Sequence, residues 1–183
     1  MYGQDSEPVT LARDCPAIMV PSGDEVILRR GSRGLITQAL GGSFTVYLDG
    51  NLFRIAGENA DALGKEPVPP PQLPPEAKLE DVERLVWDQL KTCFDPEIPI
   101  NVVDLGLIYK CDVKPADEGE HDVDISMTLT APGCGMGDVL VMDVKDKVEL
   151  IPTIREARVE LTFDPPWDRE MMSEAARLQT GMF

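Results

Sequence analysis

From Thr128 to Asp138 the chain reads Thr-Leu-Thr-Ala-Pro-Gly-Cys-Gly-Met-Gly-Asp, so Cys134 stands among glycines at 133, 135 and 137. An alternating, strand-like stretch runs up to Thr130 and a helical pattern starts near Gly137. The thiol is therefore expected just ahead of a helix. There the unpaired amides and the positive end of the helix dipole favour a thiolate, the nucleophilic and metal-binding form. The glycines let the backbone approach a bound group and present its amides. Asp138 acts in the opposite sense, because a neighbouring carboxylate raises a thiol pKa. The competing reading is a tight turn that happens to hold a buried cysteine. A cysteine bracketed by three glycines favours chemistry over packing.

The second group is Asp95-Pro-Glu-Ile-Pro99. Prolines at 96 and 99 push Asp95 and Ile98 towards extended geometry. Residues two apart in an extended chain share a face, so the Asp95 and Glu97 carboxylates would converge. Such a pair holds a cation or serves as acid and base. Asp followed by Pro is also the pattern of a helix N-cap and its first position, and the residues alone leave the two readings level. Asp104-Leu-Gly-Leu-Ile-Tyr109 adds a carboxylate and a turn glycine that read as structural. The single histidine, His121, follows Asp117-Glu-Gly-Glu120 and is expected in an exposed loop. Neither a Ser-His-Asp nor a Cys-His arrangement has support. No Gly-Lys-Ser/Thr follows the Gly-rich loop, so it is not a phosphate loop. Trp167, after Pro165-Pro166, reads either as a rim aromatic for a partner or as packing against the last helix. The four cysteines, Cys15, Cys93, Cys111 and Cys134, form no C-x-x-C pair. That argues against a disulfide framework and against a structural zinc site built from one chain.

The elements that must position these residues fall on either side of Pro67-Val-Pro-Pro-Pro-Gln-Leu-Pro-Pro75, an extended spacer. The expected organisation is a small β-rich module over 1–66, a proline-rich linker over 67–78 and an α/β domain over 79–183. Before the spacer, strands are expected at Ala17–Val20, Glu25–Leu28, Gly34–Thr37, Phe44–Leu48 and Leu52–Ile55. Asp49-Gly50 between the last two is a type I′ hairpin signal. Cys15 reads as ordinary packing. After the spacer, Leu79, Val82, Val86, Leu90 and Cys93 lie at helical spacing, which puts the Cys93 thiol on the core face of a helix. A strand is expected over Leu105–Val113. Val123 to Leu129 and Ala157 to Phe163 alternate as half-buried strands, with a helix from about Gly137 between them. Asp168 is the expected N-cap of a final helix, Arg169–Leu178. The order is helix, strand, strand, helix, strand, helix, an α/β or α+β fold. If the second and third strands are parallel neighbours, the crossover is right-handed.

With 33 acidic and 17 basic residues the net charge is −16. Such a field repels phosphate backbones and anionic membrane surfaces, so neither nucleic acid nor membrane is an expected partner. No stretch approaches the roughly 18 apolar residues of a spanning helix. The start, Met-Tyr-Gly-Gln-Asp-Ser-Glu, lacks a basic n-region and an apolar h-region, so the cytoplasm is the expected compartment.

Asp95-Pro-Glu-Ile-Pro, Val103-Asp-Leu-Gly-Leu-Ile-Tyr109, Thr130-Ala-Pro-Gly-Cys134 and Phe163-Asp-Pro-Pro-Trp167 resemble the signature blocks of the family long labelled "domain of unknown function 59". That family includes eukaryotic cytosolic iron–sulfur targeting factors and the bacterial SufT proteins. The front module is similar to the SufT extension at Arg13-Asp-Cys15, Gln38-Ala-Leu-Gly-Gly-Ser43 and Asp61-Ala-Leu-Gly64. The resemblance implies a non-catalytic accessory factor that assembles or delivers iron–sulfur clusters, working with the assembly machinery and client apo-proteins. It implies a reactive cysteine at Cys134, an acidic pair at Asp95 and Glu97, and Thr130 lining the same pocket. Many relatives carry proline after the cysteine, where this chain has Gly135. No tightly bound cofactor is implied; Cys134 would hold iron or a cluster transiently. One cysteine falls short of the four ligands a stable cluster usually needs, and a homodimer would supply part of the shortfall. The alternatives are a small thiol-dependent hydrolase or transferase, which lacks an evident base, and a maturation subunit of a di-iron oxygenase for aromatic acids.

Overall fold

The computed structural model of the protein describes residues 6–20, 22–95, 98–133 and 137–181. It divides into two units, Met1–Pro70 and Pro71–Phe183.

The first unit contains β1 (Glu7–Thr10), β2 (Cys15–Val20), β3 (Glu25–Leu28), β4 (Arg33–Gln38), β5 (Phe44–Leu48) and β6 (Asn51–Ile55). They form one sheet in the order β1-β4-β5-β6-β2-β3, antiparallel throughout. The β5–β6 turn is the one its residues dictate: Asp49 and Gly50 both take positive φ, 50° and 85°, and Leu48 faces Asn51. Two elements carry no periodic signal. β1 is an edge strand whose residues are nearly all exposed, so no apolar row marks it. The 3-10 segment Gly57–Leu63 is held from outside itself. The Arg13 guanidinium donates to both Asp61 carboxylate oxygens at 2.6 and 2.7 Å and to Asn59 Oδ1 at 3.0 Å. Cys15 is fully buried in this unit's core, as packing requires.

The second unit runs α1 (Leu79–Leu90), β7 (Ile108–Pro115), β8 (His121–Met127), α2 (Gly137–Glu149), β9 (Ile154–Leu161) and α3 (Glu174–Thr180). This is the expected order. Its sheet is mixed, β7-β8-β9, with β7 and β8 antiparallel and β8 and β9 parallel. Val82, Val86 and Leu90 give α1 its buried stripe, in one core cluster with Val144 and Val148 of α2 and Val123, Ile125 and Met127 of β8. Gln89 Nε2 donates to Lys147 O at 2.8 Å, and Lys147 Nζ to Thr92 O at 2.5 Å, fastening the two helices. No helix among the described residues is long and apolar enough to cross a membrane.

Three expectations are corrected here. Cys93 is buried, but α1 ends at Leu90 and the thiol lies in the turn beyond, where the Cys93 amide bonds Leu90 O at 3.1 Å. His121 does not sit in an exposed loop. It opens β8, half-buried, with its amide on Thr153 O at 2.7 Å. The final helix is broken in two. Asp168 caps only the 3-10 turn Arg169–Met171, and Ser173 caps a fresh helix, α3. The break has a tertiary cause: Met172 is buried in the core and the Ser173 amide is drawn to Asp104 O at 2.8 Å.

The outward row of β8 carries an ion network. Asp124 accepts from Arg158 Nε at 2.6 Å and Lys114 Nζ at 2.9 Å. The Arg158 hydrogen bond first, then that of Lys114, holds its carboxyl down at about 2. A depressed folded-state pKa contributes stability that is complete above the unfolded carboxylate range and lost as pH falls through the folded value. The Asp124 contribution should therefore fade between about pH 4 and pH 2. Asp124→Asn should melt a few degrees below the parent at pH 7, with the gap closing by pH 2, as a pH series of melting curves would show.

Candidate functional site

The site is assembled where β8 ends, by backbone bonds between distant segments. Val102 N donates to Cys93 O at 2.9 Å, Leu107 N to Val102 O at 3.0 Å, and Thr128 N to Leu107 O at 2.9 Å. Thr162 N donates to Met127 O at 2.8 Å. These bonds bring the Asp95 segment, the 101–109 turn, Thr128–Gly133 and the stretch after β9 to one end of the sheet. In sheets with parallel strands, ligands bind beyond the carboxyl ends of those strands. The end in question is the carboxyl end of both β8 and β9.

Each block has a local reason for its shape. Asn101 Oδ1 accepts from the amides of Val103 at 3.0 Å and Asp104 at 2.9 Å, and its Nδ2 donates to Asp104 Oδ2 at 2.6 Å. This bracket sets up the Asp-Leu-Gly-Leu-Ile-Tyr block, and sequence reasoning had no signal for Asn101. The Phe-Asp-Pro-Pro-Trp segment straps that turn down. Trp167 Nε1 donates to Leu105 O at 2.7 Å and the Tyr109 hydroxyl donates to Pro165 O at 2.7 Å. Trp167 is thus half-buried and packed against the core. Phe163 is 44% exposed beside the carboxyl end of β9. Gly137 begins α2 where an added Cβ would stand 2.7 Å from Leu129 Cδ1, so helix and strand end meet closely.

Asp95 is 3% exposed, and its Oδ1 accepts the Ile98 amide at 2.9 Å while its own amide donates to Ile100 O at 3.1 Å. The described residues that follow, 98–100, are not helical. Thr130 is half-buried at the site end of the chain segment that leaves β8. Cys134 and Glu97 lie outside the described residues. The described thiols are poor nucleophiles. Burial, then the charges of Asp112 and Glu83, push the Cys111 thiol up to about 11. Burial likewise raises Cys15.

A family model described as "Iron-sulfur cluster assembly protein" matches residues 83–161. The chain is 45% identical over 102 residues to an Fe-S protein maturation auxiliary factor of Porphyromonas gingivalis, covering 56% of this chain and 90% of that one. It is 43% identical over 89 residues to the Fe-S protein maturation auxiliary factor SufT of Staphylococcus aureus, covering 49% and 97%. Among solved structures, a domain of unknown function DUF59 from Bacillus anthracis is 34% identical, with TM-score 0.47 and coverage of 57% and 95%. The four blocks that meet at the end of β8, together with these identities over nearly the full length of both relatives, place this chain in the iron–sulfur cluster assembly protein family.

Proposed function

We propose that the protein is a non-catalytic accessory factor of the cytoplasm that receives iron or an iron–sulfur cluster transiently at the Cys134 loop and passes it to client apo-proteins. The observation that carries this reading is its likeness to Fe-S protein maturation auxiliary factors, at 45% and 43% identity over most of each relative. The convergence of the Asp95 segment and Thr128–Gly133 at the carboxyl ends of parallel strands supports it. In this reading Cys134 is the thiolate ligand, Asp95 and Glu97 are the acidic pair, and Thr130 lines the same pocket. The cluster is cargo. A single cysteine leaves coordination open to a second subunit or to the client's own thiols, which suits hand-over. The partners are the assembly machinery and its clients, and the −16 charge disfavours nucleic acid and anionic membranes.

A thiol-dependent hydrolase or transferase is the weaker reading. The chain's single histidine, His121, opens β8, whereas the loop follows its other end. Seven residues of strand separate them by roughly 20 Å, so His121 is not a base for chemistry at that end. Anaerobic loading with iron(II) and sulfide, followed by gel filtration and iron counting, tests the proposal. The wild-type chain should retain labile iron with sulfur-to-iron absorption, and Cys134→Ser should retain none. Equal iron on both proteins would sink the reading.

A further inference from the structure

β8 sends Val123, Ile125 and Met127 into the core and Asp122, Asp124 and Ser126 to the opposite face. Thr128 continues the second row. Its amide bond to Leu107 O keeps the chain in register past the strand's end, and Leu129, next along, is core-facing and meets Gly137. Asp122 and Asp124 on that row pair with Arg155 and Arg158. Thr128 differs: it is 0% exposed, and its Oγ1 has no hydrogen-bond partner. A buried hydroxyl in that condition is costly, and a valine of the same shape would remove the cost. Among the described residues two other buried polar atoms share the condition, His121 Nδ1 and Thr153 Oγ1, but their residues are joined to each other at the far end of β8. Among the described residues, Thr128 is the one of the three that stands where the site is assembled, two residues before Thr130.

We infer that the Thr128 hydroxyl is a positioning group of the site, held without a protein partner so that it donates to the anionic sulfur of iron-bearing cargo at the carboxyl ends of β8 and β9. The inference rests on the proposed function and adds a residue to it. A hydroxyl donating to a sulfide or thiolate orients the guest and stabilises its charge. The unbound protein keeps the penalty of an unsatisfied group because occupancy relieves it.

The test uses the full chain, with Thr128→Val, Thr128→Ser and Cys134→Ser loaded anaerobically with iron(II) and sulfide. Thr128→Val should melt no lower than the parent yet retain about fivefold less iron after gel filtration, the effect of one lost hydrogen bond. Thr128→Ser, which keeps the hydroxyl and loses a methyl, should recover the iron even if it melts lower. Parental iron retention by Thr128→Val overturns the inference. So does a melting point more than about 5 °C below the parent, which would assign the hydroxyl to a structural bond. Full retention by Cys134→Ser sinks the Cys134 reading and leaves Thr128 to be judged by its own Val and Ser pair. No iron on the parent overturns both.

Discussion

Cells whose only copy of this protein carries Cys134→Ser are expected to lose iron–sulfur enzyme activity as fully as cells with no copy, at normal protein level. Serine nearly matches cysteine in volume, so folding has little reason to change. What changes is the ligand. A thiolate is soft, nucleophilic and accessible near neutral pH, whereas a serine hydroxyl is neither ionised nor a good ligand for iron in clusters. The other thiols give no substitute. Cys15 and Cys93 are fully buried. The Cys111 pKa near 11 leaves on the order of one thiolate in ten thousand at neutral pH. Limiting iodoacetamide on the reduced native protein, read by peptide mass spectrometry, should therefore mark Cys134 at least roughly tenfold faster than the rest. If Cys134 labels no faster than Cys93, or if the serine variant supports normal enzyme activity in the deletion strain, the central role of this thiol is wrong.

The second large effect is structural and strikes the scaffold of the site. Gly106 has φ 76°, and an added Cβ would lie 2.8 Å from the Met171 carbonyl carbon and closer still to its oxygen. Gly106→Ala therefore meets two penalties at once, left-handed backbone strain and a clash with main chain that cannot swing aside. Together these come to roughly 2–6 kcal/mol. For a unit of this size the melting temperature should fall by on the order of 15 °C or more. The clash also pushes on the Arg169–Met171 turn, so the Ser173 amide, bonded to Asp104 O at 2.8 Å, should lose protection in hydrogen exchange. Gly119→Ala is the control. Gly119 has φ 77° but nothing within 4 Å of an added Cβ, so strain acts alone and the loss should be about 1 kcal/mol. If Gly106→Ala melted like Gly119→Ala, Met171 would not be locked against Gly106.

What was legible in the sequence is whatever a short stretch of chain decides by itself. The Asp49-Gly50 turn is one case, because its two positive φ values suit those residues and few others. The apolar stripe of α1 and the alternation of β8 are others, since each element buries one face and the period follows from its own geometry. The family blocks were legible too, as residue patterns. Elements with no buried face of their own left no trace. β1 exposes almost all its residues, and the 3-10 segment is held in place by Arg13 from 46 and 48 residues away.

The final helix shows the same division within one segment. Asp168 and Ser173 are both sound caps, and the chain alone cannot choose between one long helix and two short ones. Burial of Met172 and the bond from Ser173 to Asp104 make the choice. His121 was placed by its polar neighbours, and strand pairing with Pro115 and Ile154 overruled them. Above all, sequence determined which residues could do chemistry, while only tertiary structure decided which of their segments share one end of the sheet. The bonds that gather them run from Cys93 to Val102, Leu107 to Thr128 and Met127 to Thr162. Backbone amides and carbonyls make those bonds, every residue type but proline carries both, and so their pairing leaves no signature in side-chain order.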